Sequence, residues 1–208
     1  MLWIVLGIVL VILIGVGVMA GPIASNVEQA QYRVIESHGA IEIREYAPMI
    51  VAEATVSGER SVAINEGFSI IADYIFGNNL PAQKVAMTAP VIQQPAETIA
   101  MTAPVTQTGN GGSWTVRFVM PAQYTMDTLP TPGNDAITLT PLTSARFAVI
   151  RFSGKANDTM LAERTDELRT FIDEKQLHAI SSPTYAFFNP PWTLPFLRRN
   201  EVMVEISS

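Results

Sequence analysis

Hydrophobic and polar positions repeat along this chain at two scales. At the short scale, Val85-Ala86-Met87-Thr88-Ala89-Pro90-Val91 returns fourteen residues later as Ile99-Ala100-Met101-Thr102-Ala103-Pro104-Val105. Read with period two, Val85, Met87, Ala89 and Val91 share one face, as do Ile99, Met101, Ala103 and Val105. The segment between them is polar and carries Pro95, so the spacing predicts two strands closing a hairpin. Pro90 and Pro104 lack an N–H, so each strand should end, bulge or lie at an edge near its second half.

At the long scale, Ile41, Ile43, Ala52, Ala54, Val56, Ser57 and Gly58 match Ile137, Leu139, Ala148, Ile150, Phe152, Ser153 and Gly154 at a constant offset of 96. Ile64, Phe68, Ile71 and Ile75 then match Leu161, Thr165, Leu168 and Ile172 at an offset of 97. Both sets have the i, i+4, i+7, i+11 spacing of one helix face. Strands are expected after each helix, at the twin repeat and 114–120 in the first half and at 184–188 and 201–206 in the second. The pattern predicts an α+β fold in which a duplicated strand-strand-helix-strand-strand unit forms an antiparallel barrel-like sheet flanked by two helices. Residues 122–134, without a clean period, join the halves.

The N-terminus adds a third pattern. Residues 2–20 carry no polar side chain. As a helix they reach about 28 Å, close to the ~30 Å hydrocarbon core. The expectation is a transmembrane anchor over 1–20, a tether over 21–31 and one domain over 32–208. A cleaved signal peptide is the rival reading, with Val18-Met19-Ala20 as a loose cleavage site. The run exceeds the usual h-region and no Lys or Arg precedes it, which favours an uncleaved single-pass anchor. With almost no N-terminal tail, a signal-anchor with the domain outside the cytoplasm, in the periplasm, is the expectation. A cleaved signal would make the domain secreted instead.

Composition narrows the chemistry. A formal charge of −6, with no charged residue before Glu28, argues against nucleic acid as a partner. The chain has no Cys, which removes disulfides, thiolate metal sites and cysteine nucleophiles. Its two His lie far apart, and there is no phosphate loop and no H-E-x-x-H. No enzyme activity is expected beyond incidental reactivity of a bound group.

The residues that carry a family resemblance are now in view. Lys84 followed by VAMTAPV, the second AMTAPV, Phe188-Asn189-Pro190-Pro191-Trp192, and Leu197-Arg198-Arg199-Asn200-Glu201-Val202 resemble the SOUL family of haem-binding proteins. Tyr32-Arg33-Val34-Ile35-Glu36 with Ile41-Glu42-Ile43-Arg44-Glu45-Tyr46 resembles that family's opening hairpin. The resemblance implies non-covalent haem or a related tetrapyrrole in an apolar groove beside the first helix. Phe68, Ile71, Ala72 and Ile75 are then candidate walls, with Met87 and Met101 on the sheet nearby. Lys84 and Arg198 are candidate rim cations for the propionates. The same residues also suit a plain core, and Arg198-Arg199 could pair with Glu201 and Glu205.

Some members of the family carry a His just before the Tyr that matches Tyr46; here that position is Glu45. His38, His178, Tyr46 and Tyr185 are weaker ligand candidates, so the expectation is hydrophobic insertion without protein ligation, and no metal-ligating residue. A second reading is an effector-type sensing module for a lipid or cationic amphiphile, which predicts Glu45 or Glu53 pointing into the pocket. A third is a solid, purely structural barrel.

Overall fold

A computed structural model describes residues 27–80 and 97–207. The apolar N-terminal run and the first AMTAPV copy, with Lys84 and Met87, lie outside the described residues. Among those described, no helix is long and apolar enough to cross a membrane.

The chain runs β1 (Glu28–Gln29), β2 (Tyr32–His38), β3 (Ile41–Tyr46), β4 (Met49–Ser57), α1 (Arg60–Ile75) and β5 (Asn79–Leu80). After these come β6 (Thr102–Ala103), β7 (Val105–Asn110), β8 (Ser113–Val119), β9 (Thr131–Pro132) and β10 (Ile137–Leu142). The last part holds β11 (Ala145–Phe152), α2 (Asp158–Glu174), β12 (Thr184–Phe187), a 3-10 turn at Pro195–Leu197 and β13 (Asn200–Ile206). Nine strands form one antiparallel sheet in the order β10-β4-β8-β7-β12-β13-β11-β3-β2. The sheet curls into a half-barrel: β10 and β2 are its two edges and do not pair with each other.

The offset of 96 has a geometric counterpart in the register. Ile137 pairs with Ala54 and Leu139 with Ala52, while Ile41 pairs with Ile150 and Ile43 with Ala148. Each first strand therefore leaves its own unit and pairs with the second strand of the other. The Ser-Gly before each helix also matches, with Gly58 at φ +123° and Gly154 at φ +111°, where a side chain would be strained.

Three buried clusters hold the molecule together. Ala52, Ala54, Val116 and Phe118 pack beneath Ile71, Tyr74 and Ile75 of α1. Ile43, Ala148, Ile150 and Val202 pack beneath Leu161, Leu168 and Ile172 of α2. The opposite sheet face carries Tyr46, Val149, Ala186, Phe188 and Met203, and residues Val27, Ala30 and Tyr32 lie across it.

The expected strand over 99–105 is instead split at Pro104. Thr102–Ala103 pairs in parallel with β1, whereas Val105 opens β7 in the main sheet. Proline offers no N–H to a ladder, so pairing breaks there. Ile99 and Ala103 are buried and Val105 half-buried, but Met101 is 36% exposed, so the four do not share one buried face.

Candidate functional site

The two helices cover different strands. α1 packs on β4 and β8, and α2 on β11 and β13, which leaves the central pair β7 and β12 between them. One row of residues crosses seven strands here: Leu139, Ala52, Phe118, Val105, Phe187, Asn200 and Phe152. Strand alternation puts the whole row on the helix side. Its middle members, Val105 and Phe187, are half-buried, while Ala52 and Phe118 beneath α1 are fully buried. Val105 and Phe187 therefore floor an apolar groove beside α1.

Phe68 forms its near wall. It is 37% exposed and its ring leans on Phe118, with centroids 5.2 Å apart. α1 lies close to the sheet because Gly67 has no Cβ, which would stand 2.5 Å from Val116 Cγ2. Ala72 is half-buried on the same helix. Ile71 and Ile75 are 0% and 1% exposed, so they support the groove from the core and offer it no surface. Met101 is brought to this end of α1 by its neighbours: Ile99 N–H donates to Ile75 O, and Thr102 Oγ1 donates to Val119 O.

The inner end of the groove is polar and was not foreseen. The helix whose face the sequence marks from Ile64 begins earlier, at Arg60, which places a cation at its first turn. Arg60 Nε donates to Asp158 Oδ1 at 2.5 Å, and its guanidinium lies 5.9 Å from the Tyr185 ring centroid. Gln107, fully buried, donates from Nε2 to Arg60 O at 2.9 Å. Gln107 and Tyr185 are paired across β7 and β12 at the centre of the sheet. The only sequence signal for Arg60 was its place directly after Ser-Gly-Glu.

The outer end is closed by the loop 189–198. Asn200 Nδ2 donates to Gly154 O, and Gly154 N–H donates to Pro195 O. Arg198 is spent within that loop: Nε donates to Thr193 O at 2.7 Å and Nη2 to Pro191 O at 2.5 Å. It braces the loop and does not project toward the groove as a rim cation.

The other candidates lie elsewhere. His38 ends β2, contacts the Glu36 carboxylate at 3.1 Å and lies tilted against the Phe171 ring, with centroids 5.2 Å apart. His178 is exposed beyond α2. Glu45 bonds Arg33 at 2.7 Å, and this pairing holds its carboxyl below the usual range. Glu53 bonds Arg117 at 2.6 Å and Thr140 at 3.0 Å. Both carboxylates that a cation-binding pocket would need are thus already neutralised. Among the described residues no group of three or more His, Cys, Asp or Glu could hold a metal ion.

A buried charge cluster lies on the opposite face: it contains the Arg199–Glu201 pair that the sequence offered, joined by Arg44, whose part was not anticipated. Glu201, 0% exposed, accepts from Arg44 Nη1 at 2.8 Å and from Arg199 Nε at 2.8 Å. Burial works to lower the Arg44 pKa, but the hydrogen bond and charge of Glu201 outweigh it and the net direction is upward. Arg199 also reaches Gln29 Oε1 at 3.1 Å and Tyr32 Oη at 3.3 Å, which ties the N-terminal segment to this face. Near the sheet edge, Tyr32, Arg33, Glu45 and Ser144 border a shallow cavity of about 260 Å³, whose charges are mutually paired.

The groove suits a flat apolar ring. Among the described residues, its floor and wall are Val105, Phe187 and Phe68, Met101 stands at the α1 end, and Arg60 is the cation that borders it.

Comparisons with known proteins can be set beside this geometry. The family model of the SOUL heme-binding protein matches residues 27–205. No curated protein matches the chain. Among solved structures, the EcmrR C-terminal domain is similar with a TM-score of 0.55 at 11% identity, covering 85% of this chain and 98% of that one. An uncharacterized conserved protein from Listeria innocua gives 0.52 at 10% identity, over 80% of this chain and 92% of that one. A hydrolase from the same organism gives 0.50 at 10% identity, over 83% and 94% respectively. At such identities these likenesses concern the fold alone.

Proposed function

The chain belongs to the SOUL haem-binding family, and from that premise we propose that it is a membrane-tethered carrier or buffer of haem or a related tetrapyrrole. The observation that carries this reading is the apolar groove over the central strands, with Val105 and Phe187 half-buried on its floor and Phe68 on its wall. A porphyrin face would bury apolar area against these side chains, and Met101 is soft enough to adapt to a flat ring. Arg60 is the cation best placed for a propionate, exchanging its exposed partner Asp158 for the ligand. Lys84 and Met87 of the first AMTAPV copy are further candidates for the rim and wall.

Bound haem would supply an iron centre with weak or no protein ligation, because His38 and His178 are engaged or remote. The protein's contribution is to hold the ring, exclude water from one face and pair its charge. Residues 2–20 would tether the domain to a membrane, with the domain outside the cytoplasm.

A visible-absorption titration of the full chain in nanodiscs tests the reading. Ferric haem and iron-free protoporphyrin IX should both bind one-to-one, within about tenfold of each other, since the ring and not the metal carries recognition. His38→Ala and His178→Ala should leave the Soret band unchanged. Binding that is nonspecific and competed away by albumin would end the haem-carrier reading.

A further inference from the structure

The loop 189–198 is tied by several hydrogen bonds, yet it turns large apolar side chains outward. Trp192 is 70% exposed and Phe196 69%, with Leu194 and Leu197 also exposed. Thr193 between them is buried, and the backbone is tied by Thr193 N–H to Pro190 O, Leu197 N–H to Leu194 O and Arg198 N–H to Pro195 O. Three prolines and the two Arg198 bonds fix the display further. A loop held this firmly with its aromatics in solvent has the form of a contact surface.

Its position in the molecule identifies the partner. The base of the loop touches the N-terminal segment: Val27 packs in one cluster with Phe188, and Arg199 bonds both Asn189 Oδ1 and Gln29 Oε1. The described chain thus enters the domain at the end that bears Trp192 and Phe196. Only residues 21–26 separate Val27 from the apolar run, a reach of at most about 20 Å. If that run spans a bilayer, this end of the domain lies within about 20 Å of the bilayer surface.

Charge agrees with the placement. In a chain of net charge −6, no Asp or Glu occurs from Lys175 to Asn200, nor from Pro141 to Asn157, the stretch that meets the loop through Gly154. Lys155 and Arg198 lie on this side. Trp and Phe flanked by cations suit the headgroup region of a membrane.

We propose that the loop 189–198 is a second membrane contact, in which Trp192 and Phe196 insert into the interface of a bilayer carrying anionic phospholipid. This rests on the reading of residues 2–20 as a tether and extends it. The groove, whose outer end this loop closes, then lies beside the lipid surface, so that an apolar ring leaving the bilayer has only the loop to pass.

The absence of Cys permits a direct test. An environment-sensitive fluorophore is attached to Phe196→Cys, to Thr170→Cys on the exposed face of α2, and to Val11→Cys in the apolar run, each in the full chain. The chain is reconstituted in phosphatidylcholine vesicles containing phosphatidylglycerol and a lipid-borne nitroxide. The expected result is blue-shifted, quenched emission at 196 and 11 and neither at 170. Quenching at 11 with 196 resembling 170 overturns the loop contact and leaves the tether standing. No quenching at any position overturns both, whereas quenching at 196 alone supports the loop and rejects the tether. Native Trp192 fluorescence in a Trp3→Phe, Trp114→Phe chain gives the same readout without a label; lipid-independent emission would contradict the proposal.

Discussion

At the scale of single residues, the Arg44–Glu201–Arg199 cluster is the costliest feature of the sequence and the least visible in it. Charged side chains read as solvated, yet Arg44 is 2% and Glu201 0% exposed. Each is tolerated because the other neutralises it, with Tyr46 and Tyr32 filling remaining hydrogen bonds. Glu201→Gln leaves Arg44 with only Glu42 as a countercharge, and a loss of about 3 kcal/mol is expected in urea unfolding. A loss below about 0.5 kcal/mol would mean that the cluster is hydrated.

Tyrosines give a pH signature at the same scale. Burial pushes the Tyr46 phenol up to about 12, and burial also raises Tyr74, whose hydroxyl donates to Pro130 O. A phenol in the unfolded chain loses its proton near 10. Stability contributed by the neutral phenols is therefore complete below about pH 10 and falls as pH rises from there toward about 12. Melting temperatures measured across that window should decline less steeply in Tyr46→Phe than in the parent. Equal slopes would contradict the assignment.

At the scale of elements, helix faces were legible and strand pairing was not. The spacing of Ile64, Phe68, Ile71 and Ile75 placed α1 correctly, because burial on one face imposes that period. It did not separate Ile71 and Ile75, which are core, from Phe68, which is half-open, since all four serve one apolar stripe. β7 was missed beyond Val105 because Thr106, Gln107 and Thr108 carry no hydrophobic alternation. Gln107 is buried for its bond to Arg60 O, a reason sequence periodicity does not record. The exchange of β3 and β10 between units was equally hidden: the offset of 96 marks equivalent residues, but pairing partners are set by how the sheet curls.

The distance between α1 and the sheet rests on one residue. Gly67→Ala gains about 1 kcal/mol of helix propensity but forces its Cβ against Val116. Overpacking of this kind costs about 1–3 kcal/mol, so a net destabilisation is expected by thermal unfolding, together with weaker haem binding as Phe68 shifts. Unchanged stability and binding would show that α1 can lift without consequence.

At the scale of the whole molecule, two similar halves meet at Gln107 and Tyr185, yet they are not equivalent in function. The first helix turns the aromatic Phe68 to its flank, whereas the offset of 97 places the buried Thr165 at the matching position of α2. Among the described residues, the α1 side offers the aromatic wall of Phe68 beside the central strands. Asymmetry of side chains on a symmetric frame is what assigns one groove rather than two.

The measurement that tests this account most directly is the haem affinity of the full chain carrying Phe68→Glu, compared with Thr170→Glu on the exposed face of α2. A carboxylate on the groove wall would meet both the apolar ring and its propionates, so the account predicts haem binding weaker by at least about tenfold in Phe68→Glu. The Thr170→Glu chain should bind as the parent does, with both variants retaining the parent's circular dichroism. Equal affinity in all three chains would place haem outside the groove beside α1 and contradict the account.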